Sequence, residues 1–161
     1  MKLDSAIFST EGIRKDDERF ELYQENMQGV FLTEIEKDSK RDLNAHMKSY
    51  FLDEIILVDV ATVGQIFYRN ERKIADDNFD HFLVQLFLDG GTGGLGQYDG
   101  LGGDRETVFF IDSSKPWRAY NPKFHTISLI VPRNSLGSRI GGLENLHGYS
   151  LPIKENPYAK L

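Results

Sequence analysis

The sequence predicts a mainly β protein, an antiparallel β-sandwich or barrel preceded by a helix. Three observations carry that prediction. From His46 onward, short runs rich in Ile, Val, Leu and Phe are closed by turn residues, as in Phe82–Leu88 before Asp89-Gly90-Gly91. The gaps between these runs are too short to hold the crossover helices that a parallel sheet requires. Ahead of them, Phe20, Tyr23, Met27, Val30 and Phe31 recur at three- and four-residue steps among charged residues, the spacing of one helix face.

Taken in order, the helix is expected from about Arg14 to Phe31. Ser9 or Thr10 would open it, Asp16, Asp17 and Glu18 favour its first turn electrostatically, and Gly29 weakens its end. Glu36 to Asn44 is polar and reads as a loop. Phe51 to Val63 reads as strand, with Ile55, Leu57 and Asp59 alternating against Ile56, Val58 and Val60. Ile66–Tyr68, Phe82–Leu88, Thr107–Ile111 and Thr126–Val131 are the further strands. The last two are closed by Asp112-Ser113-Ser114-Lys115-Pro116 and Pro132-Arg133-Asn134. Gly137 to Gly148 is loop-like. Asn156-Pro157-Tyr158-Ala159-Lys160-Leu161 reads as the first turn of a helix with proline just inside it.

Composition bounds the function. The chain has 161 residues, enough for one domain, with 40% hydrophobic and 12% aromatic residues, enough for a packed core. No apolar run approaches the roughly 20 residues of a membrane span, and Met1-Lys2-Leu3-Asp4-Ser5 carries no secretory signal. There is no cysteine, which excludes disulfides, zinc thiolate sites and cysteine nucleophiles. A soluble, cytoplasmic protein is the expectation. The net charge is −6, and 19 Lys and Arg are interspersed with 25 Asp and Glu. Phosphate binding needs a basic stripe, so these residues are not expected to hold DNA.

Several local patterns invite chemistry. Gly91, Gly93 and Gly96 spell G-x-G-x-x-G, but Gln97-Tyr98-Asp99-Gly100-Leu101-Gly102-Gly103 cannot supply the helix that a dinucleotide site needs behind it. A bent hairpin, or a flap over a pocket mouth, is the better reading of Gly90–Gly103. Among His46, His81, His125 and His147 there is no H-x-H pair. His81 and His125 could meet from neighbouring strands, with Gln85 on the face of His81, as a metal site. Ser113 and Ser114 lie in a turn and lack a nucleophile elbow. Asp16-Asp17 and Asp76-Asp77 read as a helix first turn and a loop. The single tryptophan, Trp117, stands near Arg118, Tyr120 and Phe124, where it would line a sandwich mouth or cover a sheet end.

One ordered set of segments resembles a known pattern. Glu18-Arg19-Phe20-Glu21 comes first, then Asp77-Asn78-Phe79-Asp80-His81-Phe82-Leu83-Val84-Gln85-Leu86, Tyr98-Asp99-Gly100 and Asp112-Ser113-Ser114-Lys115-Pro116. Val131-Pro132-Arg133-Asn134-Ser135-Leu136 and Leu146-His147-Gly148 complete it. Over most of its length the chain resembles the N-terminal domains of bacterial AraC/XylS-type transcription regulators. It departs from them at Gly102-Gly103-Asp104-Arg105-Glu106-Thr107, where family members usually carry a Pro-Gly-Asp turn.

The resemblance implies a cupin-like jelly-roll β-sandwich over 45–136. Residues 1–44 would form a helical segment packed on it, and 137–161 a C-terminal loop and the start of a linker helix. It implies a non-enzymatic module without a cofactor that senses a small-molecule effector, helps form a homodimer, or both. DNA would be reached only through a C-terminal double helix-turn-helix domain absent from this chain, and no membrane is involved. Inward side chains would form the effector pocket: His81, Leu83 and Gln85 on one strand, Phe110 on the next, Trp117 near the mouth and Ser128 on the last strand. A one-residue slip would reverse any of these face assignments. The alternatives are a stand-alone metal-dependent cupin enzyme using His81 and His125, and a pure dimerisation module.

Overall fold

The structure is a computed structural model that describes residues 4–137 and 140–154. Its strands form two antiparallel sheets. In chain order they are β1 (Asp4–Ser9), β2 (Leu32–Glu34), β3 (His46–Leu52), β4 (Ile55–Thr62), β5 (Gln65–Arg69) and β6 (His81–Asp89). They continue with β7 (Thr92–Gly94), β8 (Gly102–Gly103), β9 (Thr107–Asp112), β10 (Trp117–Asn121), β11 (Phe124–Pro132) and β12 (Ser150–Pro152). The large sheet has the order β1-β3-β4-β11-β6-β9-β12 and the small one β2-β5-β10-β7-β8. The predicted β-sandwich with an N-terminal helix is what the chain forms.

Side-chain alternation explains the core. Phe87, Phe109, Ile111, Phe124 and Ile130 of the large sheet meet Phe67, Trp117 and Ala119 of the small sheet in one buried cluster. Edge-on aromatic pairs cross-link it, Phe31–Phe67 and Phe67–Phe124 each at 5.7 Å between ring centres. Helix α1 (Asp16–Met27) presents Tyr23 to a satellite cluster with Leu43 and Ala45. The apolar stripe of the helix is therefore a packing face.

Several boundaries differ from expectation for identifiable reasons. Ser9 does not open the helix, because it closes β1, whose residues pair with β3 along Ser9↔His46. Thr10 prolongs that pairing, since its Oγ1 accepts the Ala45 amide hydrogen at 2.8 Å. Glu36–Asn44 contains a short helix, α2 (Lys37–Arg41). The run Phe51–Val63 is broken by a hairpin turn at Asp53, whose φ of 55° lets β3 fold back on β4. Asp76 and Asp77 belong to a helix, α3 (Glu71–Asp77), capped by the Asn70 side chain accepting from the Lys73 amide at 2.8 Å. A short helix α4 (Arg133–Gly137) follows β11. The expected helical turn at Asn156–Leu161 lies outside the described residues. No described helix is long and apolar enough to cross a membrane.

Candidate functional site

Strand alternation aims one set of side chains between the sheets. On β6 that set contains Leu83 and Gln85, on β11 Thr126 and Ser128, and on β10 Trp117 and Asn121. Gln85 stands directly opposite Ser128 and donates from Nε2 to its Oγ at 3.4 Å. Between the sheets is a cavity of about 30 Å³, room for about two water molecules. Its polar lining is Gln85, Asn121, Thr126 and the Trp117 indole, and Met27, Phe31, Val60, Phe67, Ile111 and Phe124 make the apolar wall. The Thr92 hydroxyl donates to Asn121 Oδ1 at 2.8 Å. Trp117 Nε1 and Thr126 Oγ1 are buried and have no hydrogen-bond partner among the described residues.

The six residues picked out in the sequence divide accordingly. Gln85 and Trp117 line the cavity, Ser128 joins it through Gln85, and Leu83 is core beside it. Trp117 is only 2% exposed, so it is an interior wall tilted against Phe109 at 5.4 Å and not a residue of the mouth. His81 sits at the end of β6, its ring stacked on Phe79 at 4.1 Å. Phe110 is on the opposite face, beside Tyr149 at 6.1 Å, while its neighbour Phe109 points inward. That single-residue slip arises because Val108 to Ile111 is apolar on both faces. Thr126 and Asn121 were within reach of the same reasoning, since they lie two residues from Ser128 and four from Trp117.

Nothing in the sequence marked Arg69, whose guanidinium is fully buried at one end of the sandwich. Its Nε donates to the Ser113 carbonyl at 2.9 Å, Nη1 donates to the Val30 carbonyl, and Nη1 and Nη2 grip Asp77 at 2.9 and 3.0 Å. Phe79 covers it at 5.4 Å. Next to it Ser113 Oγ accepts the His81 amide hydrogen at 2.8 Å and donates to the Phe79 carbonyl at 2.6 Å. Asp112 accepts from the Ser114 amide and hydroxyl at 3.0 and 2.7 Å and pairs with Arg133, which also holds Asp80 at 2.6 Å. His147 closes the group by accepting the Asp112 amide hydrogen on Nδ1 at 3.1 Å. Four of the segments that carried the family resemblance thus converge on one corner, where they act as structural ties. Arg69 escapes local patterns because a lone charge at a strand end reads as solvated until its partners arrive from elsewhere in the chain.

The electrostatics follow from this packing. Burial alone would push the Asp77 carboxyl up, but hydrogen bonds from Arg69, the Phe79 amide and Lys73 outweigh it and hold the group below its ordinary value. Asp112 is likewise lowered, burial being overcome by Ser114 and Arg133. Burial pushes His81 and His147 down, aided by the charges of Arg69 and Lys115 respectively and opposed by Asp80 and Asp112.

The chemical alternatives lose their geometry. His81 is opposite Pro132 and His125 is opposite Asp89, at the two ends of β6 and roughly 26 Å apart along the strand. They do not converge on a metal, and His125 instead pairs with Asp59 at 2.7 Å. Ser113 is fully buried with its hydroxyl committed. The Gly90–Gly103 segment forms β7 and β8 at the edge of the small sheet, with one 3-10 turn between them and no helix behind it. At the departure from the usual Pro-Gly-Asp turn, Glu106 adopts φ of 63° and the Thr107 hydroxyl donates to Asp104 at 2.9 Å.

No protein-family profile and no curated protein sequence matches the chain. Among solved structures, the AraC-like transcriptional activator CuxR superposes on 93% of this chain with a TM-score of 0.80 at 18% identity. The two share a fold. This chain spans 54% of the length of CuxR. A 7S globulin of Momordica charantia aligns with 77% of this chain and 35% of its own at 11% identity, with a TM-score of 0.35, too low to argue from.

Proposed function

We propose that the chain is the effector-sensing and dimerisation module of an AraC/XylS-type transcription regulator. In this reading DNA is contacted by a double helix-turn-helix domain outside these 161 residues. The observation that carries the reading is the superposition on an AraC-like activator over nearly the whole chain. The convergence of the resemblance segments on the Arg69 corner supports it, because those residues build the fold's end and are not scattered over its surface. The acidic net charge agrees with DNA contacts lying elsewhere. The residues a hydrolase or metal reading would use are tied into structure, which favours a binding role. An effector regulates only by binding two states unequally, and two paired DNA-binding units gain avidity on paired half-sites.

A module that pairs without an effector is the second reading. The resting cavity of about 30 Å³ favours it, since organic ligands generally occupy roughly 300–1,000 Å³.

A dimerisation-dependent reporter tests the proposal. The chain is fused to a repressor DNA-binding half that needs a partner to hold its operator. Repression restored by the fusion supports the module, and repression no better than the unfused half overturns pairing. The coding sequence after Leu161 is the second check, since two helix-turn-helix patterns are expected there.

A further inference from the structure

The interior cavity has a chemical selectivity of its own. Its ten lining residues include no charged side chain. The nearest cation by register is Arg69, opposite Trp117 across the β5–β10 pair. That guanidinium is committed to Asp77 and two backbone carbonyls and does not line the cavity. An anion entering the cavity would lose its water without gaining a counter-ion, and so would a cation. The polar groups that remain are neutral and unmatched. Trp117 Nε1, in a residue 2% exposed, offers a donor without an acceptor, and Thr126 Oγ1, in a residue 1% exposed, is also unpaired among the described residues. Gln85 gives one amide hydrogen to Ser128, and its carbonyl oxygen remains as an acceptor.

We propose that the cavity lined by Gln85, Trp117 and Thr126 binds a small uncharged molecule with an apolar body and one amide or hydroxyl group. The ligand oxygen accepts from Trp117 Nε1, and its N–H or O–H donates to Gln85 or Thr126. The proposal rests on the sensor reading and narrows its effector to a neutral class. An occupant larger than two waters has to displace wall atoms. Met27 is the wall residue suited to this, being partly buried, unbranched and at the end of α1.

Three probes of one shape and different charge test the class: benzamide, benzoate and benzylammonium. Trp117 is the only tryptophan in the chain, so its emission reports occupancy directly. Benzamide is expected to shift that emission and raise the melting temperature of the 161-residue protein, and the two ions are not. Met27→Ala opens the wall and is expected to tighten benzamide by about tenfold. Trp117→Phe keeps an aromatic ring but removes the donor, and is expected to abolish most of the benzamide-induced rise in melting temperature. Equal binding of benzoate or benzylammonium overturns the neutral class. No tightening in Met27→Ala, or no binding by any probe to either protein, overturns the cavity as the site. Neither failure alters repression by the fused chain, so the dimerisation reporter tests the regulator module independently.

Discussion

The backbone amide of Asp112 donates to Nδ1 of His147 across 3.1 Å, which requires the His147 ring to be neutral with its proton on Nε2. Protonating Nδ1 would set donor against donor. The folded-state pKa of His147 lies below the ordinary 6.5, as burial and Lys115 dictate. Between that folded value and 6.5 the unfolded chain binds more protons, so stability rises with pH there. The contribution is complete above about 6.5 and is lost as pH falls through the folded value. His81 shifts in the same direction, while Asp77 and Asp112 titrate below 3.8 and stay charged in this window. Thermal melts are expected to give a lower melting temperature at pH 5 than at pH 7.5. In His147→Asn, whose amide oxygen can still accept, that drop should shrink. An unchanged drop would assign the pH dependence to other groups.

Arg69 is expected to be the most costly polar residue to remove. Arg69→Met leaves the Val30 and Ser113 carbonyls without their donor and takes the guanidinium from Asp77, which keeps Lys73 and the Phe79 amide, and should cost about 3–5 kcal/mol by urea unfolding. Arg69→Lys should rescue little, because an ammonium cannot reproduce the planar fork that holds these partners. Adding Asp77→Leu to Arg69→Met should recover part of the loss, since it removes a largely buried carboxylate that has lost its guanidinium.

Ser113→Ala removes both the acceptor for the His81 amide and the donor to the Phe79 carbonyl in a fully buried site. A loss of about 2–3 kcal/mol is expected in chemical denaturation. Ser114→Ala, an exposed position whose loss leaves Asp112 with the residue-114 amide and Arg133, should cost less. Equal effects would contradict the assignment of Ser113 as the tie at this corner.

Two adjacent glycines of the G-x-G-x-x-G segment are expected to behave differently. A Cβ at Gly94 would lie 1.8 Å from the Tyr98 carbonyl oxygen, whereas one at Gly93 meets nothing within 4 Å. Gly94→Ala should lose about 2 kcal/mol or more, and Gly93→Ala should stay within about 0.5 kcal/mol of the parent in the same denaturation assay. Gly94 is there to let β7 pass close to its own turn, and no phosphate is needed to explain it.

The strands of the sandwich were legible because their apolar runs end on turn residues, as at Asp89-Gly90-Gly91. The edges were not. β1 reads Asp-Ser-Ala-Ile-Phe-Ser, with too little apolar character to stand out, and β2 has only three residues. Asp53 carries no glycine or proline signal, so the turn between β3 and β4 was invisible. At the candidate site, alternation within one strand worked for Leu83 and Gln85, and it failed at Phe110 because the outer face there is apolar too. Arg69 was beyond local reading, since its partners Val30 and Ser113 lie 39 and 44 residues away.

The central place of β11 in the large sheet constrains how the chain is born. β11 lies between β4 and β6, pairing with Ile56–Thr62 on one side and His81–Asp89 on the other. Neither of those strands has its inner neighbour until Pro132 has been made. At about 5–20 residues per second, β4 waits roughly 4–14 s after its own synthesis for that neighbour. During this interval the apolar edges of β4 and β6 are open to other chains. A delay between making β4 and closing the sheet around β11 is therefore built into the strand order. Aggregation during expression should respond to translation speed and chaperone supply more than to substitutions in the Arg69 corner.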